Sequence, residues 1–184
     1  MQKVQRSEIV DYQTYNDTRA EFRKQVLAEK ELRRVHVGDN LTFLFENTLT
    51  IRYQIQEMMR IEQIVRDKDV QHEIDTYNES IGDTGEVGCT LLIEIDDPAE
   101  RDAKLRDWLD LPKHLYMVLD NGERVRAEWD QRQIGTDRLS SVQYIKFRPG
   151  EHTPKALGVD HPHLQLEQPL TEQQSATLAS DARA

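Results

Sequence analysis

Two stretches of this 184-residue chain hold side chains whose types and spacing suit chemistry. The first is Val159-Asp160-His161-Pro162-His163-Leu164. In extended chain His161 and His163 point the same way. A His-x-His pair is a frequent metal-ligand geometry, and neutral imidazole suits zinc, iron or copper. Asp160 is placed to orient a ligating ring from behind. Pro162 works against this, because polyproline geometry turns the two rings apart. The competing reading is a structural histidine pair, hydrogen-bonded at the end of a sheet.

The second stretch spans residues 50–81, TIRYQIQEMMRIEQIVRDKDVQHEIDTYNESI. Asp69 precedes His72 by three residues, and carboxylate-x-x-His on a helix is half of the pattern used by carboxylate-bridged di-iron bundles. Such bundles need two of these pairs and two further carboxylates. Here there is one pair plus Glu57 and Glu62, so a site would hold one ion or be shared across a dimer. His72, Asp75, Thr76 and Glu79 follow at i, i+3, i+4 and i+7 and are neighbours on a helix surface, although a solvated acidic face is the ordinary explanation of such a stripe. Glu62 falls among Ile51, Ile55, Met58 and Val65 on a helical wheel. A carboxylate there must be paired, hydrogen-bonded, metal-bound or protonated, unless a kink between two helices turns it outward.

These residues define the expected sites. A divalent zinc or iron ion would be held by Glu57, Glu62, His72, His161 and His163, if the two stretches meet. A small acidic ligand would be held by Arg52, Tyr53, Arg60 and Tyr77, where an arginine fork suits a carboxylate.

The elements that must position these groups follow from periodicity. Helices are expected over residues 18–35, closed by Gly38, over two segments within 50–81, and over 98–109, where Asp97 caps and Pro98 takes the first turn. Strands are expected over 41–45, 87–95 and 141–147. Asn121-Gly122 supplies the positive φ angles of a tight hairpin turn between 115–119 and 123–129. Residues 131–136 read as a connection, and 164–167 as a further strand. The fold class is therefore α+β: an antiparallel or mixed sheet of about five or six strands packed against the N-terminal helices and one further helix. Residues 1–168 form a single α+β domain and 169–184 a C-terminal tail or short helix, with Thr171 as its cap.

Composition narrows the partners. The formal net charge is −10, which disfavours nucleic acid and anionic membrane surfaces. The single cysteine, Cys89, excludes an intrachain disulfide and a cysteine-based zinc or iron–sulfur site. It lies on the apolar face of its strand and reads as an inert core thiol. The first fifteen residues lack the apolar core of a signal peptide, and no run approaches the roughly 20 apolar residues of a membrane span. A cytoplasmic location is expected. A homodimer is the expected assembly if exposed helices associate. No phosphate-binding glycine loop, nucleophile elbow or paired metalloprotease histidines are present.

Six stretches together resemble a bacterial family known as domain of unknown function 3501: FLFEN at 43–47, RYQIQEM at 52–58, HEIDTYNE at 72–79, LLIEIDDP at 91–98, SVQYIKF at 141–147 and VDHPH at 159–163. The resemblance implies no established activity. It implies a context, because members are encoded beside rubrerythrin-like di-iron proteins and cysteine-rich iron–sulfur proteins. The chain would then be an accessory or binding protein of a cytoplasmic redox or peroxide-defence system, with rubrerythrin-like or iron–sulfur partners. The alternative is a metal-dependent enzyme or metal-binding protein using a His/carboxylate site. The resemblance directs attention to Glu57, His72, Asp75, Tyr77, Asn78, Asp160, His161 and His163 as a shared site.

Overall fold

The computed structural model describes residues 1–131 and 135–184. The middle of the connection read at 131–136 lies outside the described residues. The chain opens with a 3-10 turn, Arg6–Glu8, and helix α1, Tyr12–Glu31. A hairpin follows, β1 Arg34–Val37 and β2 Leu41–Phe45, then α2 Thr48–Glu62 and α3 Asp67–Asn78. Next come β3 Val87–Ile93, α4 Pro98–Asp107 and a second 3-10 turn, Leu111–His114. The remainder is β4 Leu115–Leu119, β5 Arg124–Arg126, β6 Glu128–Trp129, β7 Val142–Phe147, β8 Pro154–His161, β9 Leu164–Pro169 and α5 Glu172–Arg183. The fold is α+β, as the periodicity predicts. Among the described residues, no helix is long and apolar enough to cross a membrane.

The strands divide between two antiparallel sheets rather than one. The first has the order β1-β2-β3-β7-β6 and the second β5-β4-β8-β9. Only Ala127 separates β5 from β6, so one extended run serves both sheets and joins them at a corner. Phe43, Cys89, Leu91, Ile145 and Phe147 of the first sheet merge with Leu115, Met117, Leu157 and Val159 of the second in one core. α4 seals it with Leu105, and α5 with Leu178 and Ala182. Burial drives the Cys89 thiol pKa well up, which agrees with an inert core role.

The extra strands escape a sequence reading for physical reasons. β8 contains Pro154 and Gly158, residues that strand interiors disfavour. β1 begins at Arg34, inside the span 18–35 that the periodicity assigns to a helix. α1 runs from Tyr12 rather than 18, because the Asp11 carboxylate accepts from the Gln13 and Thr14 amides and caps it early. It ends at Glu31, and the chain turns into β1. A second, smaller core holds Ile51, Ile55 and Met59 of α2, Val70 and Ile74 of α3, and Val4, Ile9 and Ile81. The two halves of residues 50–81 are thus tied to each other and to the N-terminal segment, in a separate cluster from the one that contains β8.

Candidate metal centre

The pairing of β4 with β8 builds the polar cluster at one end of the second sheet. Leu115 faces Val159 across this ladder. His114 therefore lies at the level of Asp160, and Asp110, immediately before the second 3-10 turn, reaches His161. β8 ends at His161, and Pro162-His163 forms the two-residue turn into β9, which pairs His161 with Leu164. Asp110, His114 and His161 offer one ligand atom each, all within 4.8 Å of one another. Among the described residues this is the one group of three or more His, Cys, Asp or Glu so arranged.

The distances suit an ion. His161 Nε2 lies 3.1 Å from Asp110 Oδ1, and His114 Nε2 lies 3.5 Å from Asp110 Oδ2. Ligands about 2.0–2.1 Å from a tetrahedral zinc stand roughly 3.3 Å apart, between those two values. The His114 and His161 rings meet edge to face with centroids 5.0 Å apart. His161 is 3% exposed, whereas Asp110 and His114 are half-buried, so the group is shielded on one side and open on the other. Behind it, Asp160 Oδ1 lies 3.4 Å from His114 Nδ1. Arg126 fixes Asp160 with two hydrogen bonds of 2.8 and 2.7 Å. His163 is drawn off by Asp107, whose Oδ1 lies 2.7 Å from Nδ1, yet its ring stays 5.5 Å from that of His161.

Electrostatics favour a cation here. Burial pushes the Asp110 carboxyl upward, but hydrogen bonds with His161 and His114 outweigh it and hold it below the usual carboxylate range. Arg126 holds the Asp160 carboxyl down chiefly by its hydrogen bonds. One detail sets the tautomer. The His163 backbone N–H donates to His161 Nδ1 at 3.2 Å, so a neutral His161 carries its proton on Nε2 and donates to Asp110. An ion held through Nε2 would require that proton to be on Nδ1 instead, which would remove the acceptor of the His163 amide.

The five residues expected to ligate one ion do not converge. His161 enters the cluster and His163 stands at its edge. Glu57 is consumed by Tyr15 Oη at 2.6 Å, Arg19 at 2.7 and 3.0 Å and Arg60 at 3.2 Å. Glu62 is the last residue of α2 and is exposed, because Gln63 leaves the helix in the left-handed region with φ 53°. The outward kink is what the structure shows, and Val65 is 70% exposed rather than part of a buried stripe. His72 lies exposed on α3, which packs in the smaller core and not against β8.

The residues expected to hold an acidic ligand also separate. Arg52 lies over the Phe22 ring at 4.8 Å, Tyr53 packs edge-on against Phe22 at 6.0 Å, and Arg60 pairs with Glu57. Tyr77 lines a different cleft, with Trp129 and Tyr144. Asp110 and His114 were missed. Their signal is in the sequence: a carboxylate and an imidazole one turn apart in Asp110-Leu-Pro-Lys-His114, beside a strand that pairs with the His161 strand.

A family model described as "Protein of unknown function (DUF3501)" matches residues 3–182. The solved structures include a similar one, described as a novel protein of unknown function from Burkholderia pseudomallei K96243. It is 27% identical, with a TM-score of 0.89 over 98% of this chain and 99% of that one. No curated protein matches.

Proposed function

The chain belongs to the DUF3501 family, and on the geometry of Asp110, His114 and His161 we propose that it binds a single divalent transition-metal ion, zinc or iron(II). The observation that carries this reading is the convergence of two imidazoles and a carboxylate, from two separate elements, within 4.8 Å. Two nitrogens and one oxygen are a donor set that both metals accept, with positions left for water or a further ligand. His163 is the nearest further imidazole, and it becomes free to turn inward when its amide leaves His161. Asp160, clamped by Arg126, orients His114 from behind, as outer groups do at metal sites.

The wider reading, an accessory protein of a cytoplasmic redox or peroxide-defence system with rubrerythrin-like or iron–sulfur partners, has the family resemblance as its support. An ion held at the surface suits delivery to or sensing for such a partner better than chemistry on an enclosed substrate. Cys89, buried in the core, supplies no redox thiol to that role.

The test is direct. Protein purified without chelators and titrated with zinc or iron(II) takes up one equivalent by elemental analysis and calorimetry. His114→Ala and His161→Ala each lower affinity by more than the roughly 10–100-fold that loss of a supporting group costs. Arg126→Ala falls within that range, and His72→Ala leaves binding unchanged. The His163 amide resonance shifts on ion binding in the wild type. Absence of stoichiometric uptake, or uptake that survives in His161→Ala, refutes the reading. Capture from native extract, with recovery of no di-iron or iron–sulfur protein, counts against the partner assignment alone.

A further inference from the structure

A pocket of about 370 Å³ opens where α1 gives way to β1. It shares no residue with the metal cluster. Leu27, Lys30 and Glu31 of α1 line it, with Arg34 and His36 of β1. Val35 and Val37 turn inward to the main core, so alternation along β1 leaves Arg34 and His36 together on the outer face. The β1-β2 register sets His36 opposite Thr42. The Thr42 hydroxyl donates its one proton to Glu94 Oε2. At its 2.8 Å contact with His36 it therefore accepts, and His36 Nδ1 carries the proton. This contact fixes the ring and leaves Nε2 as the nitrogen without a partner among the described residues.

Three basic side chains share this pocket with one acid, on a chain whose formal net charge is −10. The neighbouring Arg33 is fully answered: it pairs with Asp181 and Glu29 and donates to the Glu29 carbonyl at the end of α1. Arg34 is not. Its carbonyl accepts from Gln174, but among the described residues its guanidinium makes no hydrogen bond or ion pair. The Lys30 ammonium lies 5.5 Å over the Tyr53 ring and likewise has no carboxylate at ion-pair distance. Lys30 is half-buried. Burial holds its pKa below the usual lysine range; Glu46 opposes this and Arg34 adds to it. A partly buried ammonium and a guanidinium that repel each other both gain from an anion. Glu31 lines the same pocket but pairs with neither. Two ordinary roles leave this arrangement unexplained. Cations answer the dipole at a helix C-terminus, but Arg33 already does so. Charge on an edge strand discourages pairing with other chains, but that needs no pocket and no half-buried lysine. Leu27, 48% exposed, adds an apolar wall, and the volume is that of a small-molecule site rather than of a bare ion.

We propose that this pocket binds a small phosphate monoester. The Arg34 fork takes two phosphate oxygens and the Lys30 ammonium the third. A phosphate ester still holds a titrating proton near neutral pH, so it bonds with the His36 ring whether Nε2 accepts or donates. The organic body rests on Leu27. Phenyl phosphate is the probe. Calorimetry on the intact chain should show saturable binding that weakens as sodium chloride rises, with the His36 ring resonances moving in step. Phenol, which lacks the phosphate, should not bind. Inorganic phosphate should bind roughly tenfold more weakly, for want of the apolar contact. Arg34→Gln and Lys30→Gln, at positions with no ion pair to lose, each weaken phenyl phosphate by roughly ten- to a hundredfold, the share of a hydrogen bond to a charged group. Glu31→Gln tightens it, because it removes the one acid in the lining. His161→Ala leaves it unchanged, which separates this pocket from a phosphate held by an ion at the metal cluster. Lack of saturable phenyl phosphate binding would overturn the proposal. So would affinity that Arg34→Gln and Lys30→Gln leave intact, or that His161→Ala abolishes. Inorganic phosphate binding as tightly as phenyl phosphate would overturn the assignment of an ester.

Discussion

Replacing Glu57 with glutamine lowers the stability of the protein by on the order of 3 kcal/mol at neutral pH. The carboxylate accepts four hydrogen bonds, from Tyr15, twice from Arg19 and from Arg60. Its side chain is 12% exposed. Burial pushes its pKa upward, but the arginine and tyrosine bonds outweigh this and bring it from 4.5 down to about 2. A folded pKa below the unfolded one means that the stabilisation is fully present above about pH 4.5 and disappears as the pH falls toward 2. Urea unfolding of the wild type and Glu57→Gln across that range should show a gap that is widest at neutral pH and closes in acid. Tyr15→Phe removes one of the four bonds and costs about 1 kcal/mol. A gap that stays constant with pH would mean that the charge of Glu57 does not matter and that only shape is lost. Metal uptake should be the same in Glu57→Gln and the wild type, because this carboxylate already has its cations.

Glu57 also shows where a sequence can be read and where it cannot. Helix α2 was legible in outline, because Ile51 and Ile55 recur at helical spacing, although Met59 rather than Met58 completes the buried stripe and the helix opens at the Asn47 cap, ahead of residue 50. Which carboxylate on α2 needs partners was not legible: the wheel points to Glu62, which is exposed, whereas the paired one is Glu57. The partners of Glu57 were not legible either, because Tyr15 and Arg19 lie about forty positions earlier on another helix, and tertiary pairing leaves no local period. The hairpin at Asn121-Gly122 was legible for the opposite reason, since its signal is contained in two residues. The hairpin forms, but its turn is centred on Asp120 and Asn121, with the Gly122 amide donating to the Leu119 carbonyl and Gly122 alone, not Asn121, at positive φ (84°).

The metal cluster divides along the same line. His161 and Asp160 stood out as a local motif, and Asp160 does support a ring, though that of His114 rather than its neighbour. The predicted extended chain through Pro162 gave way to a hairpin turn, which sends His163 toward Asp107 and keeps it off the centre of the cluster. The composite site with Glu57, Glu62 and His72 does not assemble because helices α2 and α3, which carry those residues, pack in the smaller core, and composition does not reveal which core an element joins. Asp110 and His114 become candidates only once β4 is paired with β8, a relation between residues more than forty positions apart.

Asp181→Ala carries the largest stability effect expected of a single side chain here, about 3–5 kcal/mol, the usual cost of stripping one partner from a buried ion pair. α5 lies at the end of the chain, where a frayed tail is the default expectation. It is instead fastened at both levels. Leu178 and Ala182 are 0% and 1% exposed in the main core. Asp181, 8% exposed, takes two hydrogen bonds of 2.8 and 2.9 Å from the Arg33 guanidinium, itself 6% exposed. Arg33 immediately precedes β1, so this fork binds the last helix to the edge of the first sheet. With the carboxylate gone, Glu29, whose Oε1 lies 2.5 Å from Arg33 Nη1, compensates only in part, because its own side chain is 32% exposed. The double variant Arg33→Met/Asp181→Leu removes both charges and recovers most of the loss, since an apolar pair avoids the desolvation that a lone guanidinium suffers. α5 packs against β8. Loosening it in Asp181→Ala should therefore accelerate amide exchange at Leu157 and Val159, on the strand that delivers Asp160 and His161. Unchanged unfolding in Asp181→Ala, or a double variant no more stable than the single, would show that the fork contributes nothing to holding α5 in place.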